Sequence, residues 1–226
     1  FRKNLDCITG NADTTRVKTL GFSKQTKKII ILLILFFTGV SSLSSYLVTF
    51  KEQYYRLFHI HYQQYPDDVM ENIYYLEKAV KADFANPQYA LAKIENEKDW
   101  EKYRYLFMMH LNLKLIEQHM RLGRIWDKNV AYFYDAPWKE EYLRDLEKTE
   151  SCYVAGLYYW EEAKLWAEKA GAGSFQFLYL TDVQNWEDEL FRITTGELDY
   201  EKILNREITR VRQVKEKFLA MDEETY

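Results

Sequence analysis

Four histidines, His59, His61, His110 and His119, are the residues best suited by type to bind a metal ion or to transfer protons. On a helix, His59 and His61 point about 200° apart, and His110 and His119 fall on opposite faces. Only on a strand would the first pair chelate. No Glu-x-x-His or His-Glu-x-x-His motif is present. We therefore predict no metal site and no cofactor, and we expect the histidines to pack or to lie at interfaces.

Neighbouring carboxylates are the second group that could carry chemistry. Adjacent residues on a helix point about 100° apart and are usually hydrated, so a glycosidase-like pair is not expected. The GxGxxG, P-loop and GxSxG motifs are absent. The sequence thus predicts no catalytic residue, and we expect a protein that is not an enzyme. The carboxylate runs are Glu140-Glu141, Glu161-Glu162 and Glu187-Asp188-Glu189.

Charge divides the chain into a basic start and an acidic remainder. Residues 1–28 contain seven Lys or Arg and two Asp, whereas residues 29–226 contain 24 basic and 33 acidic side chains. An acidic body argues against nucleic acid as its ligand. The two cysteines, Cys7 and Cys152, lie on either side of a long apolar run, and no zinc-type spacing is present.

The apolar run, residues 29–50, contains 22 residues without a charge. As a helix it would extend about 33 Å, enough to cross a hydrocarbon layer of about 30 Å. The alternatives are a cleaved signal peptide, for which Val40 and Ser42 have the small size required, and a buried helix. Because lysines cluster at one end of so long a run, we interpret it as a retained transmembrane helix.

The flanks of this run predict its orientation. Lysines dominate before it, so the positive-inside rule places residues 1–28 in the cytoplasm as a basic tail. Residues 51–226 would then form an extracytoplasmic domain, periplasmic in a Gram-negative cell, beyond the plasma (inner) membrane. Charged and aromatic side chains are predicted at the membrane interface: Lys24, Lys27, Lys28, Tyr46, Tyr54 and Tyr55.

Residues 51–226 show helical periodicity and no alternating stretch of useful length, which predicts an all-α domain. Pro66-Asp67-Asp68 and Asn86-Pro87 are typical helix starts, and Gly123 and Gly171 are suitable helix ends. The segment 105–109 is apolar on every side, so we expect its helix in the middle of a stack. One helix is predicted to begin after Asp68, without a predicted end, and a short one to run from Pro87 to about Ile94. The other predicted helices are 99–122, 127–134, 137–170, 175–194 and 200–220.

A faint internal repeat accompanies these helices. "YYLEKAV" at 74–80 recurs as "YYWEEAK" at 158–164, with "KLIEQHM" at 114–120 between them, which suggests units of about 42 residues. The segment 74–94 resembles a junction between two tetratricopeptide repeats. The matching residues are Tyr75, Ala79, Asp83, Pro87, Tyr89, Ala90 and Ala92. The Trp-Leu-Gly-Tyr half of that pattern is missing, so an irregular helical bundle is the alternative to a repeat array.

The resemblance implies a scaffold that binds protein segments. An aromatic cluster near a predicted turn is the candidate protein-binding site: Trp126, Tyr132, Phe133, Tyr134 and Trp138. Tryptophans beside acids, such as Trp160 and Trp186, are interpreted as core residues with polar neighbours. We therefore predict a membrane-anchored assembly protein of a bacterial envelope complex, by analogy a flagellar-motor accessory structure, whose partners are other subunits or itself.

A second hypothesis comes from a different class of protein. A membrane-bound ligand sensor or enzyme would need a pocket between helices, and a deep pocket lined by buried His or Glu would favour it. A lipid-facing or cell-wall-binding module is a third, weaker option.

Overall fold

The computed structural model describes residues 47–131, 138–181 and 183–222. Within them the protein is all-helical, as predicted, with no strand beyond one isolated bridge between Phe50 and Asp83. A single 3-10 turn, Pro87–Tyr89, lies between the second and third α-helices. The α-helices are α1 (Lys51–Gln64), α2 (Val69–Lys81), α3 (Glu97–Ala131), α4 (Lys139–Ala170), α5 (Gln184–Thr194) and α6 (Tyr200–Ala220).

Residues 29–46 of the predicted membrane span lie outside the described residues. Residues 47–49 have no regular structure and Phe50 is extended, so the span predicted to end at residue 50 is wrong in its last four residues. None of the helices in the described ranges has the length and apolar character that crossing a membrane requires.

The first helix begins with two buried charged residues. Lys51 donates from Nζ to the carbonyl oxygen of Ala79 at 3.1 Å, and Glu52 accepts from the backbone N–H of Ala85 at 2.9 Å. Burial lowers the pKa of Lys51 and raises the pKa of Glu52. The start of α1 is thereby joined to the end of α2, and carbonyls that a helix end leaves unpaired gain a donor.

Several predicted helix starts are confirmed. The Asp68 carboxylate accepts from the N–H of Glu71 at 3.2 Å and caps α2, and Asp199 caps α6 through Lys202 at 3.0 Å. The helix expected from Pro87 is only a 3-10 turn. The helix expected over 175–194 is shorter, because α5 begins at Gln184.

The third and fourth helices form a long hairpin. α3 has 35 residues and α4 has 32, so each is about 50 Å long. The predicted end of α3 at Gly123 is wrong, since the helix continues through it to Ala131. Residues 127–131, predicted as the start of a separate helix, belong to α3. Gly123 instead allows close approach: a Cβ there would lie 2.7 Å from Cε1 of the fully buried Tyr153 on α4.

Gly123→Ala is therefore expected to lower the free energy of unfolding by about 1–3 kcal/mol, the usual cost of overpacking a core. Alanine favours a helix by about 1 kcal/mol over glycine, so a loss would show that the Tyr153 contact dominates. Urea unfolding followed by circular dichroism measures this change. Gly173→Ala is the control, because nothing lies within 4 Å of a Cβ at that position; a stabilised Gly123→Ala variant would contradict the prediction.

The core is built around α3, as its apolar character predicts. α3 packs against α2, α4 and α5, and α4 also packs against α5 and α6, while α1 packs on α2. Tyr103, Leu106, Phe107, Met109 and Leu111 are all fully buried. The three repeat-like segments lie on α2, in the middle of α3 and on α4. A period of about 42 residues therefore does not mark off helix pairs in the described part.

His119 is a half-buried imidazole at the α3–α4 interface. Its ring stacks on Tyr159 with centroids 5.3 Å apart, and neither ring nitrogen has a hydrogen-bond partner among the described residues. Burial lowers the pKa of His119, although Glu77 nearby opposes this. The folded state therefore binds this proton less readily than the unfolded chain, whose histidines titrate near pH 6.5.

Stability is accordingly expected to fall as the pH drops below about 6.5, and His119→Phe is expected to reduce that loss. The measurement compares urea midpoints at pH 7.5 and pH 5.5 for both chains. An equal loss in the two chains would show that His119 does not contribute to the acid sensitivity.

Candidate functional site

The residues predicted to bind protein are only partly described. Trp126 is half-buried, with Nζ of Lys148 lying 4.0 Å from its ring centroid, and Trp138 is exposed just before α4. Tyr132, Phe133 and Tyr134 lie outside the described residues, so this aromatic site stays a prediction.

The residues predicted at a membrane interface are divided in the same way. Lys24, Lys27, Lys28 and Tyr46 lie outside the described residues. Tyr54 is half-buried and donates to the carbonyl oxygen of Val48 at 3.2 Å. Tyr55 is buried in the core and hydrogen-bonded to His110, so it is not the surface residue that a membrane interface requires.

A cleft of about 470 Å³ opens where α1, α3 and α5 meet. Its volume falls in the usual range for small-ligand sites, about 300–1,000 Å³. Tyr55 and Trp186 form its apolar floor with Leu91, and polar side chains surround them. The complete lining is Tyr55, Arg56, His59, Leu91, His110, Lys114, Asn185, Trp186 and Glu189.

A hydrogen-bonded chain of three side chains runs through the cleft. His110 lies 2.6 Å from the Tyr55 hydroxyl through Nε2 and 2.6 Å from Glu189 Oε2 through Nδ1. Burial and the charge of Glu189 raise the pKa of Tyr55, so its phenol keeps its proton and can donate to Nε2 of a neutral imidazole. Nδ1–H then donates to Glu189. Trp186 stacks on the imidazole at 5.1 Å, which fixes the ring between three helices.

Donors with unused capacity lie at the mouth of this cleft. Arg56 and Asn185 are exposed, and His59 contacts Tyr55 edge-on at 4.4 Å. Partial burial, His110 and Lys114 lower the pKa of His59, so this ring is mostly neutral near pH 7. Across the described ranges, no three His, Cys, Asp or Glu side chains come together as a metal site. The cleft can thus orient a small polar molecule against a fixed imidazole.

An ion pair fixes the segment that leads into α5. Lys102 Nζ lies 2.6 Å from Glu187 Oε1, and both side chains are buried. Lys102 also donates to the carbonyl oxygen of Gln176 at 2.8 Å, while Glu187 accepts from the N–H of Leu178 at 2.8 Å. The expectation that these adjacent carboxylates lie in water is therefore wrong for Glu187, and Glu189 is bonded to His110.

This cleft was not predicted from the sequence. His110 and Glu189 are 79 residues apart, and no local spacing connects them. One signal was present: His110 directly follows the segment 105–109, which is apolar on every side, and a polar side chain buried there needs a partner.

The fourth helix carries a second apolar face. Its core face includes Leu146, Tyr153 and Trp160, whereas Val154, Tyr158 and Leu165 are exposed. At 100° per residue these three exposed side chains fall within about 40° of arc, roughly 120° from the core face. Val154 and Tyr158 border a groove of about 650 Å³ between α4 and α6. Its lining is Glu147, Glu150, Ser151, Val154, Ala155, Tyr158 and Lys215.

The structure thus defines an all-helical domain with an interhelical polar cleft and an exposed apolar helix face. The chain matches a family model described as a domain of unknown function (DUF8513) over residues 98–221, more than half of its length, so it belongs to that family. The matched range covers nearly all of α3 and the helices after it, and leaves Tyr55, Arg56 and His59 outside. Comparisons with curated proteins and with solved structures gave no match.

Proposed function

We propose that this protein is a membrane-held scaffold that binds other protein subunits, or a second copy of itself, through α4. The observation that carries the proposal is the exposed stripe of Val154, Tyr158 and Leu165, which adds a second apolar face to a helix already buried on the first. A helix that is apolar on two faces is typical of one packed between two partners. Tyrosine is also among the residues enriched at interface hot spots.

The groove beside the stripe adds polar contacts that suit a protein partner. Lys215 pairs with Glu147 at 3.0 Å, and Arg212 pairs with Glu150 at 2.7 Å, so charged pairs border the apolar residues. An apolar centre with a polar rim is the usual anatomy of a protein interface.

The finer parts of the proposal depend on the sequence. Membrane anchoring, a cytoplasmic N-terminus and an extracytoplasmic helical domain depend on the apolar run at 29–50 and its lysine flank. Membership of a bacterial envelope complex, such as a flagellar-motor accessory structure, depends on the resemblance to tetratricopeptide arrays and is an analogy.

Site-specific photo-crosslinking of the full chain in its own cells tests the scaffold role. A photoreactive residue at Tyr158 is expected to give discrete products with one or a few proteins, since 64% of this side chain is exposed on the stripe. Tyr179, 89% exposed and outside α4, is the control position. Equal labelling from both positions, or no product from Tyr158, would rule out this surface.

A second candidate function is favoured by the cleft. A ligand sensor, or an enzyme, needs a pocket lined by buried His or Glu, and His110 with Glu189 meets that description. Small molecules released on denaturing the purified full chain can be identified by mass spectrometry. A molecule retained by the wild type and lost from Arg56→Gln would support this role, and its absence from both would count against it.

A further inference from the structure

We propose that a pocket beside the loop that joins α1 to α2 binds a phosphate or carboxylate group. The pocket measures about 250 Å³ and lies between the start of α2 and the C-terminal half of α3. This volume is below the range of drug-sized sites and suits a single ionic group. Its lining is Asp67, Val69, Arg121, Arg124, Ile125 and Lys128.

Three cations line this pocket from one face of α3. Arg121, Arg124 and Lys128 are three and seven residues apart, which places them within about 60° of arc on the helix. Like charges at such spacings repel and destabilise a helix. An anion held between them would relieve that repulsion.

Among the described residues, acids leave most of that charge unpaired. The Asp67 carboxylate lies 3.6 Å from Arg121 and is fully exposed. Within the described ranges, Arg124 and Lys128 form no salt bridge and no side-chain hydrogen bond. Elsewhere, cations on the long helices do have partners, as in the Lys148–Asp145 and Lys164–Glu161 pairs.

The geometry also supplies an ordered donor and an apolar wall. Arg121 NH1 donates to the Tyr62 hydroxyl at 2.9 Å, and its guanidinium lies 5.2 Å from that ring, which holds it in place. Val69 is buried beneath the pocket and Ile125 is exposed at its edge. A planar guanidinium beside two further cations matches the oxygens of phosphate and carboxylate.

The same chemistry comes from a free anion or from a lipid headgroup, and two probes distinguish them. The full chain in non-ionic detergent is heated with sodium phosphate, or with sodium chloride at equal ionic strength. As the second probe, the same chain is heated after reconstitution into vesicles of phosphatidylcholine, with or without phosphatidic acid. For a free anion, phosphate raises Tm beyond chloride; for a headgroup, Tm rises only in the vesicles that contain phosphatidic acid.

Arg124→Gln and Lys128→Gln test the assignment, because both side chains are exposed and their loss removes repulsion instead of a contact. Each is expected to lower the apparent affinity for either probe about tenfold or more, which is the usual size of the effect of losing a charged hydrogen bond. Without a probe, each keeps or raises Tm, which shows that the fold is intact. Arg206→Gln on α6 is the control and is expected to bind as the wild type does.

Two results would overturn the proposal. In one, neither phosphate nor the acidic vesicles affect the wild type more than the chloride and phosphatidylcholine references. In the other, the effect persists in Arg124→Gln and Lys128→Gln.

Discussion

Replacing Glu187 with glutamine is expected to lower the free energy of unfolding by about 3–5 kcal/mol, because it leaves a buried lysine without its counter-charge. Lys102 and Glu187 are 6% and 4% exposed, so water screens neither charge. Glutamine retains the shape and an oxygen that can accept from the N–H of Leu178. The loss would therefore report the missing charge and not a missing side chain.

The double variant Lys102→Met with Glu187→Gln separates charge from packing. It contains no unpaired charge, so it is expected to be more stable than Glu187→Gln alone, although the Gln176 carbonyl loses its donor. Glu161→Gln is the control, since its pair with Lys164 is solvent-exposed and contributes little. Urea unfolding at pH 7 measures all four chains. A double variant that is no more stable than Glu187→Gln alone would mean that the unpaired lysine charge is not the cause of the loss.

The burial of Glu187 could not be predicted from the sequence. The pattern of tryptophan beside acid predicted a core Trp with hydrated neighbours, and the first half is confirmed for Trp160 and Trp186. The second half is wrong for Glu187, because an 11-residue helix covered by the segment at 176–178 presents two faces to the core. Lys102 lies on α3, far from Glu187 in the sequence, so no periodicity could predict the pair.

Local chemistry explains the elements that were predicted well. Asp68 and Asp199 cap helices through bonds that span three residues, and the limits of α6 follow from its cap and a single apolar stripe. The prediction that Gly123 ends a helix is wrong because this glycine is required by tertiary packing. It faces a ring on another helix, which local sequence does not show. The cleft depends in the same way on Tyr55, His110 and Glu189, three residues from three helices.

The packing of α5 leads to the second large effect, an expected loss of about 3–5 kcal/mol for Trp186→Ala. Trp186 is 3% exposed, and its ring lies 5.2 Å from Phe107 and 5.7 Å from Tyr103, measured between centroids. Removing it would leave a cavity between α3 and α5 and would free the imidazole of His110 on one face.

Phe191→Ala is the matched control for Trp186→Ala, because Phe191 lies on the same helix but is 59% exposed. Its stability is expected to stay within about 0.5 kcal/mol of the wild type. Hydrogen exchange adds a local measurement: amides of α5 should lose protection in Trp186→Ala and keep it in Phe191→Ala. If both variants lost the same free energy of unfolding, Trp186 would not be the residue that holds α5 against α3. Another contact would then have to position Glu189 against His110.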